Sequence, residues 1–436
     1  MQDSYYEKYW NQPLQQSTNA RNPYAADQPV KTTRDVCKCK QKLSPPCKIT
    51  TTNHTNNAIS FTSNIDRSNI ANLKYYWQSE IKTPISSKPI ILNDALYVCD
   101  WEGNAYKIDK KSGKIIWQCP LSVPFKGTGV ICDNIWYIAS NAQSATGSQT
   151  CPGQIFALDI QTGATVWCNL LDTHAFIGSF SQLQIHNNLI YLTTKSIDHN
   201  AQTDLAYGSV VAIDQLTGHM VWKTKISRLL RQPNFTNALA YCDSLAIDSK
   251  NNLLYLTLGG LSILALDTAT GKEVWQNNTL GKSLKTGPVL FENNQQKLLG
   301  VASQEGSYLA LNRKTGQIVW KYRLDSNMQL ASSGIYREGK LYLCGESGTE
   351  TRVFCLDAIS GALIYQTTIP ATSCGELLYL NELLLFYHND LLFAFDIIKQ
   401  RIIWQKRIDH MILSPIQADG YLFYMGCNHG LTAWGI

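Results

Sequence analysis

Seven times between Tyr106 and Gln405 one phrase recurs: apolar residues, Asp, a short polar turn with Gly, apolar residues, then Trp. YKIDKKSGKIIWQ ends on Trp117, FALDIQTGATVWC on Trp167, VAIDQLTGHMVWK on Trp222, LALDTATGKEVWQ on Trp275 and LALNRKTGQIVWK on Trp320. FCLDAISGALIYQ carries Tyr365 at the same place, and FAFDIIKQRIIWQ ends the series on Trp404. A repeat of roughly 40–50 residues marks an array of small supersecondary units. Within one unit, two β-rich runs flank the turn Glu102-Gly103-Asn104 and a third follows the turn at residues 110–113, which are hairpin signals. With an inner strand before them, near residues 88–92, each unit reads as a four-stranded antiparallel sheet. Such a sheet cannot bury both faces alone, so the units must stack around an axis as blades.

The fold expected is therefore all-β, a β-propeller. The recurring aromatic is placed to wedge between neighbouring blades, contributing about 2–3 kcal/mol per blade. The Asp before each turn can accept hydrogen bonds from turn amides, and the Gly supplies positive φ. The chain stops at GLTAWGI, a third strand with no fourth, while LKYYWQSE near the other end reads as a fourth strand with no blade before it. Joined, they give eight blades marked by Trp77, Trp117, Trp167, Trp222, Trp275, Trp320, Tyr365 and Trp404, closed by the N-terminal strand on the C-terminal blade. Closure removes exposed sheet edges.

Residues 61–436 form this ring, and residues 1–60 form an extended, largely irregular arm, rich in polar residues and without periodicity. Its aromatics Tyr5, Tyr6, Tyr9 and Trp10 suit docking on a partner or a neighbouring subunit. A net charge of +5 with no block of Lys or Arg argues against nucleic acid. No stretch of 18 apolar residues occurs, so no spanning helix is expected. The N-terminus shows neither the basic start nor the apolar core of a secretory signal. Of the 13 cysteines, Cys99, Cys132, Cys344, Cys355 and Cys427 fall in expected strands as buried free thiols. Cys37, Cys39, Cys47 and Cys151 lie in loop-like sequence and point to disulfides and an extracytoplasmic location. A zinc site from Cys37, Cys39, Cys47 and His54 has irregular spacing.

The eightfold phrase AxDxxTGxxxW with a closing N-terminal strand resembles the pyrroloquinoline quinone (PQQ) dehydrogenase superfamily, and within it the polyvinyl alcohol dehydrogenase branch. The resemblance runs from about Asn57 to the C-terminus, and is strongest at SNIDRSNIANLKYYWQSE, LYVCDWEGNAYKIDKKSGKIIW, GSVVAIDQLTGHMVWKT and CDSLAIDSKNNLLYLTLGG. It implies a quinone over the axis, polarised by basic residues and calcium, with a carboxylate base, a Trp floor and often a disulfide between adjacent cysteines. Where that pattern has Gln-Lys-Ser, this chain has Gln304-Glu305-Gly306, the wrong sign for a reduced quinone. Asn237 to Cys242 lacks the expected Trp, leaving Asp243 beside it as a remnant of the axial pocket; Leu258-Gly259-Gly260 replaces a calcium-ligating Thr-Gly-Asn; no two cysteines are adjacent. No C-x-x-C-H haem motif occurs. The expectation is a degenerate pocket at Asp243, Gln304 and Glu305, no catalytic residue and no cofactor, with PQQ plus calcium as the alternative.

Three further features bear on function. The long second-to-third-strand loops at residues 141–154 and 195–208 project over one face, where propellers place binding sites. His388, Asp390 and His429 occupy similar turns of the last two blades and would suit a divalent metal if they met. Sequons at Asn53, Asn234 and Asn277 matter only in a host that glycosylates exported proteins. The reading is a non-enzymatic structural, assembly or protein-binding module, with a protein partner or self-assembly through the arm; the alternative is a divergent PQQ-dependent alcohol or polyvinyl alcohol dehydrogenase.

Overall fold

The computed structural model describes residues 63–436 apart from 122, 124, 126, 128, 141–152, 173–174, 177–182, 199–204, 227–244, 259–261, 279–286, 294, 304–305, 326, 331 and 372–373. Tyr5, Tyr6, Tyr9, Trp10, Cys37, Cys39, Cys47, His54, Cys151, Asp243, Gln304 and Glu305 lie outside the described residues.

Eight antiparallel sheets follow one another, each built from consecutive strands except the last. Blade 1 is typical: Ile90–Leu92 inside, then Ala95–Cys99, Asn104–Asp109 and, outermost, Ile115–Pro120. The sheets starting near residues 130, 175, 245, 289, 329 and 378 are blades 2 to 7. Blade 8 takes Gln417–Asp419, Leu422–Cys427 and Gly430–Gly435 from the C-terminus and its outer strand, Lys74–Gln78, from the other end of the chain. The register pairs Lys74 with Gly435 and Trp77 with Ala433. The inner-to-second turns use Asn and Asp in the left-handed region, for example Asn93, Asn134, Asn188 and Asn252, the choice expected of two-residue hairpins.

Apolar clusters fill the junctions between successive blades. Tyr97 and Ile90 of blade 1 share one with Trp136 and Phe156 of blade 2, and Trp77 and Tyr424 of blade 8 share another with Leu96 and Ile108 of blade 1. Every indole of the series except Trp404 lies on the turn glycine of the next blade, so that a Cβ on Gly113 would stand 2.5 Å from Trp77, and one on Gly316 would stand 2.4 Å from Trp275. Only a residue without Cβ, at ease with φ near +70, fits there. The indole N–H then donates to a backbone carbonyl of that turn: Trp77 to Lys110 (3.1 Å), Trp222 to Thr268 (3.0 Å), Trp275 to Arg313 (3.0 Å). Tyr365 substitutes with its hydroxyl on the Ile397 carbonyl at 3.4 Å. The wedge is buried at Trp77, Trp167, Trp275 and Trp320 and half-buried at Trp117, Trp222, Tyr365 and Trp404.

Two expectations are corrected. Within the expected loop at residues 195–208, both flanks are strand: the ladder of blade 3 continues to Asp198 opposite Leu205, because Lys195-Ser196-Ile197-Asp198 and Leu205-Ala206-Tyr207 keep β-forming sequence on both sides. Cys132 is not a free thiol but disulfide-bonded, while Cys99, Cys344, Cys355 and Cys427 are free and buried.

Candidate functional site

A four-stranded antiparallel blade has two unlike ends. One carries the inner-to-second turns and the Asp-Gly turns, which the aromatic wedges hold in place. The other carries the second-to-third turns and the crossovers between blades, and here lies the variation. Blade 1 passes from Cys99 to Asn104, whereas blade 2 passes from Ala139 to Gly153. A rigid ring with one variable end places its recognition there.

At blade 1 this end is organised by Asp100, fully buried in the sequence Asp100-Trp101-Glu102-Gly103. Its carboxylate accepts from Thr83 Oγ1 (2.7 Å), the Glu102 and Asn104 amides (3.0 and 2.8 Å), Asn104 Nδ2 (3.0 Å) and the Tyr106 hydroxyl (2.8 Å). Burial, and then the bond to Asp100, push the Tyr106 hydroxyl well above the usual phenol range. Trp101 donates from Nε1 to Ser86 Oγ at 2.8 Å. The crossovers lie directly on the tight turns. A Cβ on Gly103, Gly306 or Gly430 would stand 2.6, 2.2 or 2.3 Å from the backbone of Val123, Met328 or Ile81.

Across blades 6 to 8 the end is polar and paired. Arg352 bridges Asp325 and Glu350. Arg407 Nη1 meets Asp390 Oδ2 at 3.1 Å, since the Leu391–Arg407 pairing sets that guanidinium beside the turn. His410 and His429 make an edge-on ring contact at 5.4 Å, and the His429 carbonyl accepts from Gln78 Nε2 at 2.8 Å. His388 is within 3.2 Å of the Asn389 amide nitrogen. Thus the three residues weighed as metal ligands go three ways: Asp390 to Arg407, His429 to His410, His388 to Asn389. No group of three or more His, Cys, Asp or Glu able to hold a metal occurs among the described residues.

The sequence reading found the wedges but missed a second set of aromatics. Tyrosines on the second strands make tilted ring contacts with the wedge and donate to the same carbonyl: Tyr191 to Thr268 (3.1 Å), Tyr255 to Arg313 (3.0 Å), Tyr424 to Lys110 (3.4 Å). The signal was available, because ALYVC, NIWYIA, LIYLTT and LLYLTL place Tyr at one register of the repeat. Also unforeseen is Arg313, buried between Asp248 (3.4 Å) and Glu292 (3.2 Å), with Nε on the Leu298 carbonyl at 2.9 Å. It couples blades 4 and 5.

Asp243, Gln304 and Glu305, where the resemblance places the quinone, lie outside the described residues. Asp100 is saturated by five donors, and Arg352 and Arg407 face carboxylates rather than open space. What the arrangement offers is a stiff polar rim on a closed ring.

Comparison with known proteins gives the following. The family model described as outer membrane protein assembly factor BamB matches residues 69–240 and 259–345, more than half of the chain. Polyvinylalcohol dehydrogenase of a Pseudomonas species is 21% identical over 418 residues, covering 81% of this chain and 64% of its own length. Outer membrane protein assembly factor BamB of Shewanella oneidensis is 24% identical over 269 residues, covering 60% of this chain and 59% of its own. The chain therefore spans less than two thirds of either relative. Among solved structures, a quinohemoprotein alcohol dehydrogenase from Pseudomonas putida HK5 superposes with a TM-score of 0.68 at 13% identity, covering 87% of this chain and 78% of the other.

Proposed function

Because the chain belongs to the propeller family described as outer membrane protein assembly factor BamB, we propose that it is a non-enzymatic binding or assembly module of an extracytoplasmic, envelope or particle surface. The observation that carries this reading is that carboxylates of the variable end are already bonded within the protein. Asp100, Asp390 and Asp325 each have donors or a guanidinium in place, so none is a poised base.

Two features support a protein partner. Among the described residues no further strand pairs with the outer strands around the rim, and before the wedge they expose Ile116, Val221, Val274, Val319 and Ile364. Exposed apolar residues on open strand edges suit pairing with a strand of another chain. The disulfide at Cys132 fits an oxidising compartment, where the outer membrane assembly relatives' name also points. Residues 1–60, with Tyr5, Tyr6, Tyr9 and Trp10, are the proposed tether.

Two measurements decide between this and a PQQ-dependent dehydrogenase. Titrating the purified chain with PQQ and calcium should give no saturable absorbance change and no dye reduction with simple alcohols; saturable binding with turnover reverses the assignment. In the native host, cross-linked complexes should form with the full chain and be lost with residues 61–436 alone. Equal recovery from both removes the tether.

A further inference from the structure

The seam where the ring closes carries two histidines that meet ring to ring. His410 lies on the crossover between the outer strand of blade 7, Arg401–Arg407, and the inner strand of blade 8, Gln417–Asp419; His429 lies in the turn between Leu422–Cys427 and Gly430–Gly435. Their ring centres are 5.4 Å apart and their planes meet at 65°. His429 is exposed and His410 half-buried, so solvent reaches the pair.

Both backbones are fixed. Two residues to either side of His410, the Ile408 and Ile412 amides donate to the Asp390 and Asn389 carbonyls of blade 7 at 2.8 and 2.9 Å. Toward blade 8, the Asn428 amide donates to the Met411 carbonyl at 3.2 Å, which ties the residue before His429 to the residue after His410. The Leu413 amide adds a bond to the Gly426 carbonyl at 2.9 Å, and Gln78 Nε2 of the closing strand holds the His429 carbonyl at 2.8 Å. Arg407, where the crossover begins, is already paired with Asp390 at 3.1 Å, so its charge is answered within blade 7.

The spacing is that of two ligands on one ion. Imidazole nitrogens bind zinc at about 2.0–2.1 Å, and a tetrahedral angle between two such bonds sets the ring centres roughly 5 Å apart. Edge-on packing of two neutral rings gives a similar spacing but no affinity for ions, and that difference can be measured.

We infer that His410 and His429 form a two-imidazole site for a divalent transition ion of the zinc, nickel and copper class, with water completing the coordination. The bound ion braces the crossover from blade 7 against the closing blade. Imidazole favours these ions, whereas calcium, which takes about six to eight oxygen ligands, is not matched by two ring nitrogens. With two side-chain ligands rather than a cluster of three, which does not occur among the described residues, the site is open and its affinity modest.

The test uses the full chain without a polyhistidine tag, its accessible thiols alkylated so that they do not compete. Titration with zinc chloride by calorimetry should show saturable binding, and the thermal midpoint should rise with zinc concentration. His410→Ala and His429→Ala should each abolish that binding, and His388→Ala, whose ring meets Asn389 instead, should keep it. On the unaltered chain, zinc should shield His410 and His429 from diethyl pyrocarbonate, read by peptide mass, while His186 and His388 label as before; calcium should shield neither. Absence of saturable zinc binding, binding that survives both substitutions, or zinc that leaves both histidines open to the reagent overturns the site. The footprint needs no variant, so it decides the matter even where a substituted chain fails to fold.

Discussion

Among the junctions where a wedge meets a turn, one departs from the rest, and its two departures explain each other. Six turns present glycine to the preceding aromatic: Gly113, Gly163, Gly218, Gly271, Gly316 and Gly361, with φ from +67 to +74. In blade 7 the equivalent residue is Gln400, which holds the same left-handed conformation at φ +53. The aromatic facing that turn is Tyr365, the one wedge in the series that is not Trp. A Cβ where the others have none leaves room for a six-membered ring but not for an indole. Tyr365→Trp alone should therefore destabilise the ring by about 1–3 kcal/mol through overpacking. Gln400→Gly alone should be near neutral, since relief of the left-handed strain is offset by a more flexible unfolded chain. Together the two changes should restore most of the loss, a coupling of about 1–2 kcal/mol in a double-mutant cycle read by urea unfolding. Additive effects would mean that the Cβ does not set the ring size.

The Asp-Gly turn is the recurrent element, and its carboxylate gives it a pH signature. Asp109 Oδ1 accepts from the Ser112 hydroxyl and amide at 2.6 and 2.7 Å, Asp159 does the same with Thr162 at 2.9 and 2.8 Å, and Asp357 with Ser360 at 2.7 and 2.8 Å. For Asp109 the Ser112 hydroxyl is the main cause of a lowered pKa; for Asp357 it is the Ser360 amide; for Asp159 burial opposes the shift and the Thr162 bonds outweigh it. Folded values below the unfolded ones mean that the folded state takes up these protons last. Their stabilisation is complete above the ordinary Asp value of about 4 and is lost as pH falls through the lower folded values. The urea midpoint should be flat from about pH 5 to 7 and drop below about pH 4. Asp→Asn at 109, 159 and 357 together should flatten that limb, because Asn312 Oδ1 already accepts from the Lys314 and Thr315 amides in the same turn of blade 5 and carries no titrating group. An unchanged acid limb would assign it to other carboxylates. These turns could be read from sequence because Asp, Ser or Thr, and Gly act within five residues and recur. The second-strand tyrosines escaped because their hydroxyls act on the next blade, and a Tyr in a strand looks the same whether or not it reaches across. The crossovers are less legible still: LSVPFK after blade 1 and LDSNMQ after blade 5 share no phrase, so the polar rim and the pairing of Asp390 with Arg407 had no repeat to announce them.

At the scale of the ring, closure decides whether seven complete sheets become one molecule. Lys74–Gln78 covers the edge of Gly430–Gly435, and the Ser79 amide extends the ladder to the Leu431 carbonyl at 2.8 Å. Ahead of it, residues 63–73 strap blades 7 and 8 together: Ser63 bridges Gly420, Asn381 Nδ2 donates to the Ser63 and Ile65 carbonyls at 2.7 and 2.9 Å, and Arg67 pairs with Glu382. Ile65, Ile70 and Leu73 enter the core cluster against which Trp404 packs. The last wedge, on the outer strand of blade 7, thereby gains apolar neighbours from the strap where it faces blade 8, whose third and outer strands share no turn. Four buried side chains, Ile65, Ile70, Leu73 and Trp77, at about 1.5–3 kcal/mol each amount to roughly 6–12 kcal/mol, as much as a folded domain has to spare. A chain of residues 81–436 should therefore lose its cooperative thermal transition and associate through the uncovered edge of Gly430–Gly435. A synthetic peptide of residues 63–80 added in excess should restore a transition whose midpoint rises with peptide concentration, as linkage requires. If the shortened chain melts where the full chain does, the two termini contribute packing but not closure, and the ring must be held by its blade junctions alone.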